Sequence, residues 1–280
     1  MFGKLCDTLA PGVQTLHALI TSSDGRVASN AITLLADLLI LTPTRSTETQ
    51  PTMRTSANLD MFGDLRNQQI HRPLLPLNTP HQLLPETDIV WTELRLLVNE
   101  VSSRLLDSPE VAVRQGSLLV LGNALYRFFS ASSVALCVLD KIEAILLEDA
   151  SARLRTNAAG VLGNLALHVA STTIDTGMTN KILSSLLETG CLDGDRRVQE
   201  ASLHSLCLWN SMYEHTREIL LELGATAKLR NLQRSMTSAG VSRFGRKVLP
   251  SRPQSRPKSS SLVTNDIIAS YASALCETLQ

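Results

Sequence analysis

Four stretches of this sequence place the same residue types in the same order. They read Val27-Ala-Ser-Asn-Ala-Ile-Thr-Leu-Leu-Ala-Asp-Leu38, Val113-Arg-Gln-Gly-Ser-Leu-Leu-Val-Leu-Gly-Asn-Ala124, Leu154-Arg-Thr-Asn-Ala-Ala-Gly-Val-Leu-Gly-Asn-Leu165 and Val198-Gln-Glu-Ala-Ser-Leu-His-Ser-Leu-Cys-Leu-Trp209. Each opens on an apolar residue, sets small residues about one helical turn later, and closes on Leu followed by a small residue. Leu35, Leu121, Leu162 and Leu206 each lie two turns after the opening residue and share its helix face. Between them, Ala31, Ser117, Ala158 and Ser202 leave room for a second helix to come close, and Ala36, Gly122, Gly163 and Cys207 do so again one turn on. A mid-helix Gly costs about 1 kcal/mol against Ala. Two of them at equivalent positions therefore predict close packing that offsets the cost.

The motifs start 86, 41 and 44 residues apart, and the first gap is about twice the later ones. A helical period of roughly 40–47 residues is the mark of an armadillo or HEAT repeat. One such unit cannot bury its apolar face alone, so stability must come from stacked neighbours. Aromatic residues make up only 4% of the 280 residues, which favours close-packed helices built from Leu, Val, Ile and Ala over a β-sandwich. The expected fold is all-α: an armadillo/HEAT-like solenoid of stacked helix pairs with a disordered insertion and a basic flexible tail.

The pattern divides the chain. Residues 1–41 read as N-terminal helices ending in the first motif. Residues 42–87 hold six of the eleven prolines among Thr, Ser, Asn and Gln, and read as a disordered insertion with room for one helical piece around Leu59–Gln68. Residues 88–232 carry alternating helices, beginning with Val90, Leu94, Leu97, Val98, Val101 and Leu105 on one face. One helix is expected to follow the turn at Asp107-Ser-Pro109, the next to run from Ser133 to Leu147, and pairs to recur at 152–168 with 178–189 and at 195–212 with 215–222. Residues 233–264 are rich in Ser, Pro and Gly and read as a basic linker carrying Arg243, Arg246, Lys247, Arg252, Arg256 and Lys258. A last helix is expected over 265–280, capped by Asn265.

Two segments carry a resemblance. Arg153-Leu-Arg-Thr-Asn-Ala-Ala-Gly-Val-Leu-Gly-Asn-Leu165 resembles the armadillo helix that ends in a Leu-small-Asn-Leu run. Thr216-Arg-Glu-Ile-Leu-Leu-Glu-Leu-Gly-Ala-Thr-Ala-Lys-Leu-Arg-Asn-Leu232 resembles the armadillo segment with Gly-Ala at its turn. The first segment, together with Val113 to Ala124, also resembles the C-terminal helical region of Fused-type serine/threonine kinases, a family linked to signalling and to assembly of motile cilia. That resemblance implies the regulatory end of such a kinase, in a ciliary, flagellar or cytoskeletal setting. The alternative it leaves open is part of an active kinase whose ATP-binding domain lies outside this chain. The Gly-rich loop, strand Lys, His-Arg-Asp loop and Asp-Phe-Gly site of a kinase do not occur in this sequence, and Met61-Phe-Gly-Asp64 does not replace the last.

In armadillo proteins the Asn matching Asn123 and Asn164 lines the concave groove and bonds the backbone of an extended peptide. On that basis the expected partner groove comprises Asp37, Asn123, Arg127, Asn164, His168 and His204, with Leu208 breaking the row. The competing reading has the Asn residues only bridging neighbouring repeats. Trp209 aligns with Leu165 and is expected in the core. Arg153, Arg155, Arg196 and Arg197 stand at helix starts, where a solvated face is the default.

The remaining features argue against other chemistries. The six histidines show no metal-binding spacing, so no catalytic, metal or cofactor site is expected. Net charge is zero, which points to no class of partner. The basic tail lacks interleaved aromatics apart from Phe244, which argues against reading nucleic acid by stacking. Five unpaired-looking cysteines, the absence of a signal-like N-terminus and of any apolar run near 20 residues give the expectation of a soluble cytoplasmic protein. The expected partners are proteins or peptide segments, with a kinase or an axonemal or cytoskeletal protein as the narrower form. A nuclear-transport-like adaptor is a third reading.

Overall fold

The computed structural model describes residues 12–41, 89–128, 131–168, 174–241 and 260–280. Among them are twelve α-helices and two 3₁₀ turns, with no strand. In chain order α1 covers 12–20, α2 Gly25–Leu41, α3 Ile89–Arg104, α4 Val111–Arg127, α5 Ala131–Cys137 and α6 Leu139–Glu148. There follow α7 Ala152–Leu165, α8 Thr176–Leu192, α9 Arg196–Met212, α10 Thr216–Glu222, α11 Ala225–Val241 and α12 Ser260–Thr278. The insertion expected at 42–87, its helical piece, and Arg243, Arg246, Lys247, Arg252, Arg256 and Lys258 lie outside the described residues.

The four motif helices α2, α4, α7 and α9 stack side by side in that order, and α12 follows α9 as a fifth. Helices α3, α6, α8 and α11 form a second layer against them. Leu35, Leu121, Leu162 and Leu206 are fully buried, as are the small residues Ser117, Ala158 and Ser202, while Ala31 is nearly so. Gly163 shows why a side chain is not tolerated between stacked helices. A Cβ there would stand 2.4 Å from Ser205 Oγ and 2.9 Å from Ser205 Cβ on α9. The same argument does not hold at Gly122, where a Cβ would meet Val161 Cγ2 at an ordinary 3.5 Å. In that repeat the close approach has moved to Gly116, whose Cβ would stand 2.7 Å from Ile32 Cγ2 on α2.

Helix starts follow the expected chemistry. Asp24, Asp175 and Asp195 each accept a backbone N–H of the helix they precede, from Arg26, Met178 and Arg197 respectively. Gly224 takes a left-handed φ of +68° at the turn from α10 into α11, a conformation that costs Gly least.

Several features differ from the sequence reading. The single helix expected over 133–147 is two, α5 and α6, joined at Val138 with φ −115° and ψ 15°. The break lets α5 bury Ala131, Val134 and Ala135 while α6 buries Ile142, Ile145 and Leu146 in another direction. Helix α11 continues past residue 232 to Val241, and α12 begins at Ser260, so Asn265 is inside the helix rather than its cap. Nor is α12 a separate C-terminal piece. Its Tyr271 ring lies 5.2 Å from His204 of α9, and its Ser273 hydroxyl accepts from Gln233 of α11 at 3.0 Å. Its buried Ile268 and Ala272 repeat the spacing of the opening apolar residue and the small residue in each motif. Finally, Val27 is 36% exposed where its equivalents Val113, Leu154 and Val198 are buried, because α2 stands first in the described stack.

Charged side chains lock the edge where each repeat turns into its motif helix. Arg155 grips Asp193 with two bonds, Nε to Oδ2 at 2.7 Å and Nη2 to Oδ1 at 2.9 Å, and donates Nη1 to the Asp149 carbonyl at 2.7 Å. One repeat earlier, Arg114 Nη2 donates to Asp149 Oδ2 at 2.9 Å and its Nη1 to the Ser108 carbonyl at 2.8 Å. Arg155 is thus mostly buried and paired rather than solvated, because the next repeat brings a carboxylate to it. Arg153 and Arg197 are exposed as expected. Burial pushes the Asp193 carboxyl up, but Arg155 and the Asp195 N–H outweigh it and hold the group below its ordinary range.

Candidate functional site

With the second layer covering one side, the opposite side of the motif-helix layer is left open. In α4, α7 and α9 the first, fifth, eighth, ninth and twelfth motif positions are buried. The seventh position is half-buried in all four motif helices, as Thr33, Leu119, Gly160 and His204. The eleventh position is Asp37, exposed, then Asn123 and Asn164, half-buried, then Leu208, buried. Tyr126 and Leu167 at the fourteenth are half-buried and Ser211 is exposed. Steps of four and three residues put the seventh and eleventh positions on one stripe of each helix, continued by Tyr126 on α4 and Ser211 on α9, while Leu167 falls in the 3₁₀ turn after α7. Side by side, the stripes form one continuous floor.

The expected site residues divide on this floor. Asn123 and Asn164 lie on it, and both also bridge repeats. Asn123 Nδ2 donates to the Ala36 carbonyl at 2.9 Å, and Asn164 Nδ2 donates to the Gly122 carbonyl at 2.9 Å. The Asn164 Oδ1 atom is buried, so its amide has little left to offer a ligand. His168 does not share the open face. The 3₁₀ turn Ala166–His168 redirects the chain after α7, and the fully buried ring donates Nε2 to the Leu125 carbonyl at 2.5 Å. Asp37 is exposed at the outermost motif helix, while the Arg127 side chain lies outside the described residues. His204 lies on the floor with one side against Tyr271, and burial holds its pKa down to about 4, so it is neutral near pH 7.

At α9 the bridge is made by other residues. Ser205 Oγ donates to the Ala159 carbonyl at 2.8 Å, and Trp209 Nε1 donates to the Leu162 carbonyl at 2.8 Å. Trp209 is fully buried, as its alignment with Leu165 implied. The sequence reading missed the seventh-position row apart from His204. Its signal was one turn before each Asn, at Leu119 and Gly160. The Arg–Asp pairs were legible too, since Asp149 and Asp193 stand at the same offset before the next motif.

Burial pushes the Cys207 thiol up to about 12 and Cys191 to about 11, which keeps both protonated and poor nucleophiles. Among the described residues no group of three His, Cys, Asp or Glu side chains could hold a metal ion, and no helix is long and apolar enough to cross a membrane.

The architecture is similar to that of a computationally designed armadillo repeat protein for modular peptide recognition, with a TM-score of 0.55 at 14% identity, covering 99% of this chain and 87% of that one. The fold is an armadillo-repeat solenoid. A second designed armadillo repeat protein overlays with a TM-score of 0.46 at 15% identity, covering 96% of this chain and 100% of that one. No protein-family model and no curated protein matches the sequence. The stripes at Leu119, Gly160 and His204 lie on the side of the motif-helix layer away from the second layer.

Proposed function

We propose that this chain is a non-catalytic scaffold that binds an extended segment of a partner protein along the concave floor. The observation that carries the reading is the seventh-position row. Thr33, Leu119, Gly160 and His204 remain partly open in every motif helix, while in α4, α7 and α9 the fifth, eighth, ninth and twelfth positions are spent on stacking. The designed protein similar in fold is one made for peptide recognition, which favours the same use of this face. Asn123 and Asn164 act mainly by fixing the spacing of the helices beneath the peptide. The test is selection of a displayed peptide library on the full chain, followed by the same peptides on Leu119→Glu. Enriched peptides should lose capture on the variant while its thermal midpoint is unchanged. No enrichment, or equal capture by the folded variant, overturns the reading.

A narrower reading rests only on the motifs Arg153 to Leu165 and Val113 to Ala124. It makes the chain the regulatory end of a Fused-type kinase, in cilium assembly or signalling at an axonemal or cytoskeletal partner. Kinase motifs in frame in the adjoining coding sequence are its expected mark, and their absence from the gene removes it. Under that reading the basic residues Arg243, Arg246, Lys247, Arg252, Arg256 and Lys258 form a linker whose serines could be phosphorylated, cancelling the charge.

A further inference from the structure

The chemistry of the floor restricts what can lie on it. Along the seventh, eleventh and fourteenth positions of the motif helices, Asp37 on the outermost helix is the one charged side chain among the described residues. The interior of the floor is Leu119, Gly160, Asn123, Asn164 and Tyr126, closed at α9 by the His204 ring. Burial keeps that ring neutral near pH 7. A Lys, Arg, Asp or Glu side chain seated over α7 would lose hydration and meet no opposite charge among the described residues of that helix's stripe, Glu200 lying on α9 one turn before His204, which costs affinity.

The middle of the floor also has a gap. A Cβ built on Gly160 would find no heavy atom within 4 Å outside its own surroundings. The equivalent positions on the flanking helices carry Leu119 and His204. The floor therefore drops over α7 between an isobutyl group and an uncharged ring. The contrast with Gly163 on the same helix is sharp, since a Cβ there collides with Ser205. Gly163 is required for stacking, whereas Gly160 has no packing partner that explains the missing side chain.

We propose that the groove selects an uncharged extended segment that seats one apolar side chain of about Leu or Met size over Gly160. This rests on the groove reading above and names its partner class. Three helices spaced about 8–10 Å apart are crossed by roughly six extended residues, so the recognised core is short. Its apolar residue is central, where shape and loss of water contribute most.

The experiment is the composition of the pool that the displayed ten-residue library yields on the full chain, followed by anisotropy of the labelled pool members on Gly160→Leu and Gly160→Ala. The expected pool is depleted in Lys, Arg, Asp and Glu and holds Leu, Ile or Met at one fixed place. Its members should bind Gly160→Leu at least tenfold more weakly and Gly160→Ala with a smaller loss, both variants keeping the wild-type circular dichroism. A pool rich in Lys and Arg, or in Asp and Glu, overturns this proposal while leaving the groove reading standing. A neutral pool that binds Gly160→Leu undiminished overturns the seat over Gly160. If Gly160→Leu fails to fold, undiminished binding by Gly160→Ala together with unfolding of the Leu variant overturns it, because Gly160 is then a packing residue. Absence of any enriched pool is the separate outcome that sinks the groove reading itself.

Discussion

The α4–α7 junction and the α7–α9 junction solve the same stacking problem with different side chains. At the first, Asn164 reaches the Gly122 carbonyl and a Cβ at Gly122 would fit without strain. At the second, Leu208 replaces the Asn, Ser205 and Trp209 supply the two donors, and Gly163 must lack a Cβ. The carbonyls of one helix accept donors from the next, but the donors need not come from the same motif position. The first junction keeps its donor on the open face. The second moves its donors into the core, which frees His204 and buries Leu208. The groove floor therefore changes character where the stacking chemistry changes.

The largest break in this comparison is expected at Trp209. Replacement by Ala removes a fully buried ring and should cost about 3–5 kcal/mol, read as a lower urea midpoint. Trp209→Phe retains most of the volume but loses the donor to Leu162, and about 1–2 kcal/mol should go with it. Equal losses for the two variants would show that the donor, not the ring volume, carries the cost, and no loss in Trp209→Phe would show that the indole N–H contributes little.

Glycine substitution should separate the junctions by sign. Gly163→Ala forces Ser205 aside and should destabilise by about 1–3 kcal/mol. Gly122→Ala meets ordinary contacts and should be neutral or stabilise by up to about 1 kcal/mol through helix propensity. Parallel thermal melts of the two variants give the comparison directly, and loss of similar size at both sites contradicts the assigned close approach.

The neutral His204 gives the second junction a pH dependence of its own. Its folded pKa of about 4 lies below the ordinary value of 6.5, so the unfolded chain binds this proton first as pH falls. Stability should therefore drop between pH 6.5 and 4, by on the order of 3 kcal/mol for this group. His204→Gln should flatten that part of the profile when unfolding free energy is measured against pH. At lower pH the depressed Asp193 carboxyl acts in the same direction. Its contribution is present above the ordinary carboxylate range and is lost as pH falls through its folded value.

The smallest effects belong to the bridging amides. Asn123→Ala and Asn164→Ala should each cost about 1 kcal/mol, and they should be nearly additive, because they join different pairs of helices. Strong non-additivity in a double mutant would mean the two bridges act as one ladder.

Much of this was legible because a solenoid repeats its constraints. The buried Leu residues and the small positions follow from local rules applied at one period. The fifth inner helix was not recognised, although Ile268 and Ala272 carry the signal, because the long stretch between α11 and α12 displaces it from the period. The kink at Val138 was not visible because Leu, Val and Ile run through it with helical spacing on both sides. His168 was assigned to the groove from helical periodicity, and the 3₁₀ turn after Leu165 rotates it inward instead.

The sequence by itself determined that the chain stacks, since small residues at a helical spacing and a period near 40 admit few other uses. It also determined which face of each helix is spent on stacking. Only the tertiary structure decided what remains on the open side. Whether Asn164 offers its amide to a ligand or to Gly122, and whether Gly160 is a packing contact or an open seat, depends on where the neighbouring helix places its carbonyls and side chains. Those positions are set by contacts some 40 residues away, which local periodicity does not encode.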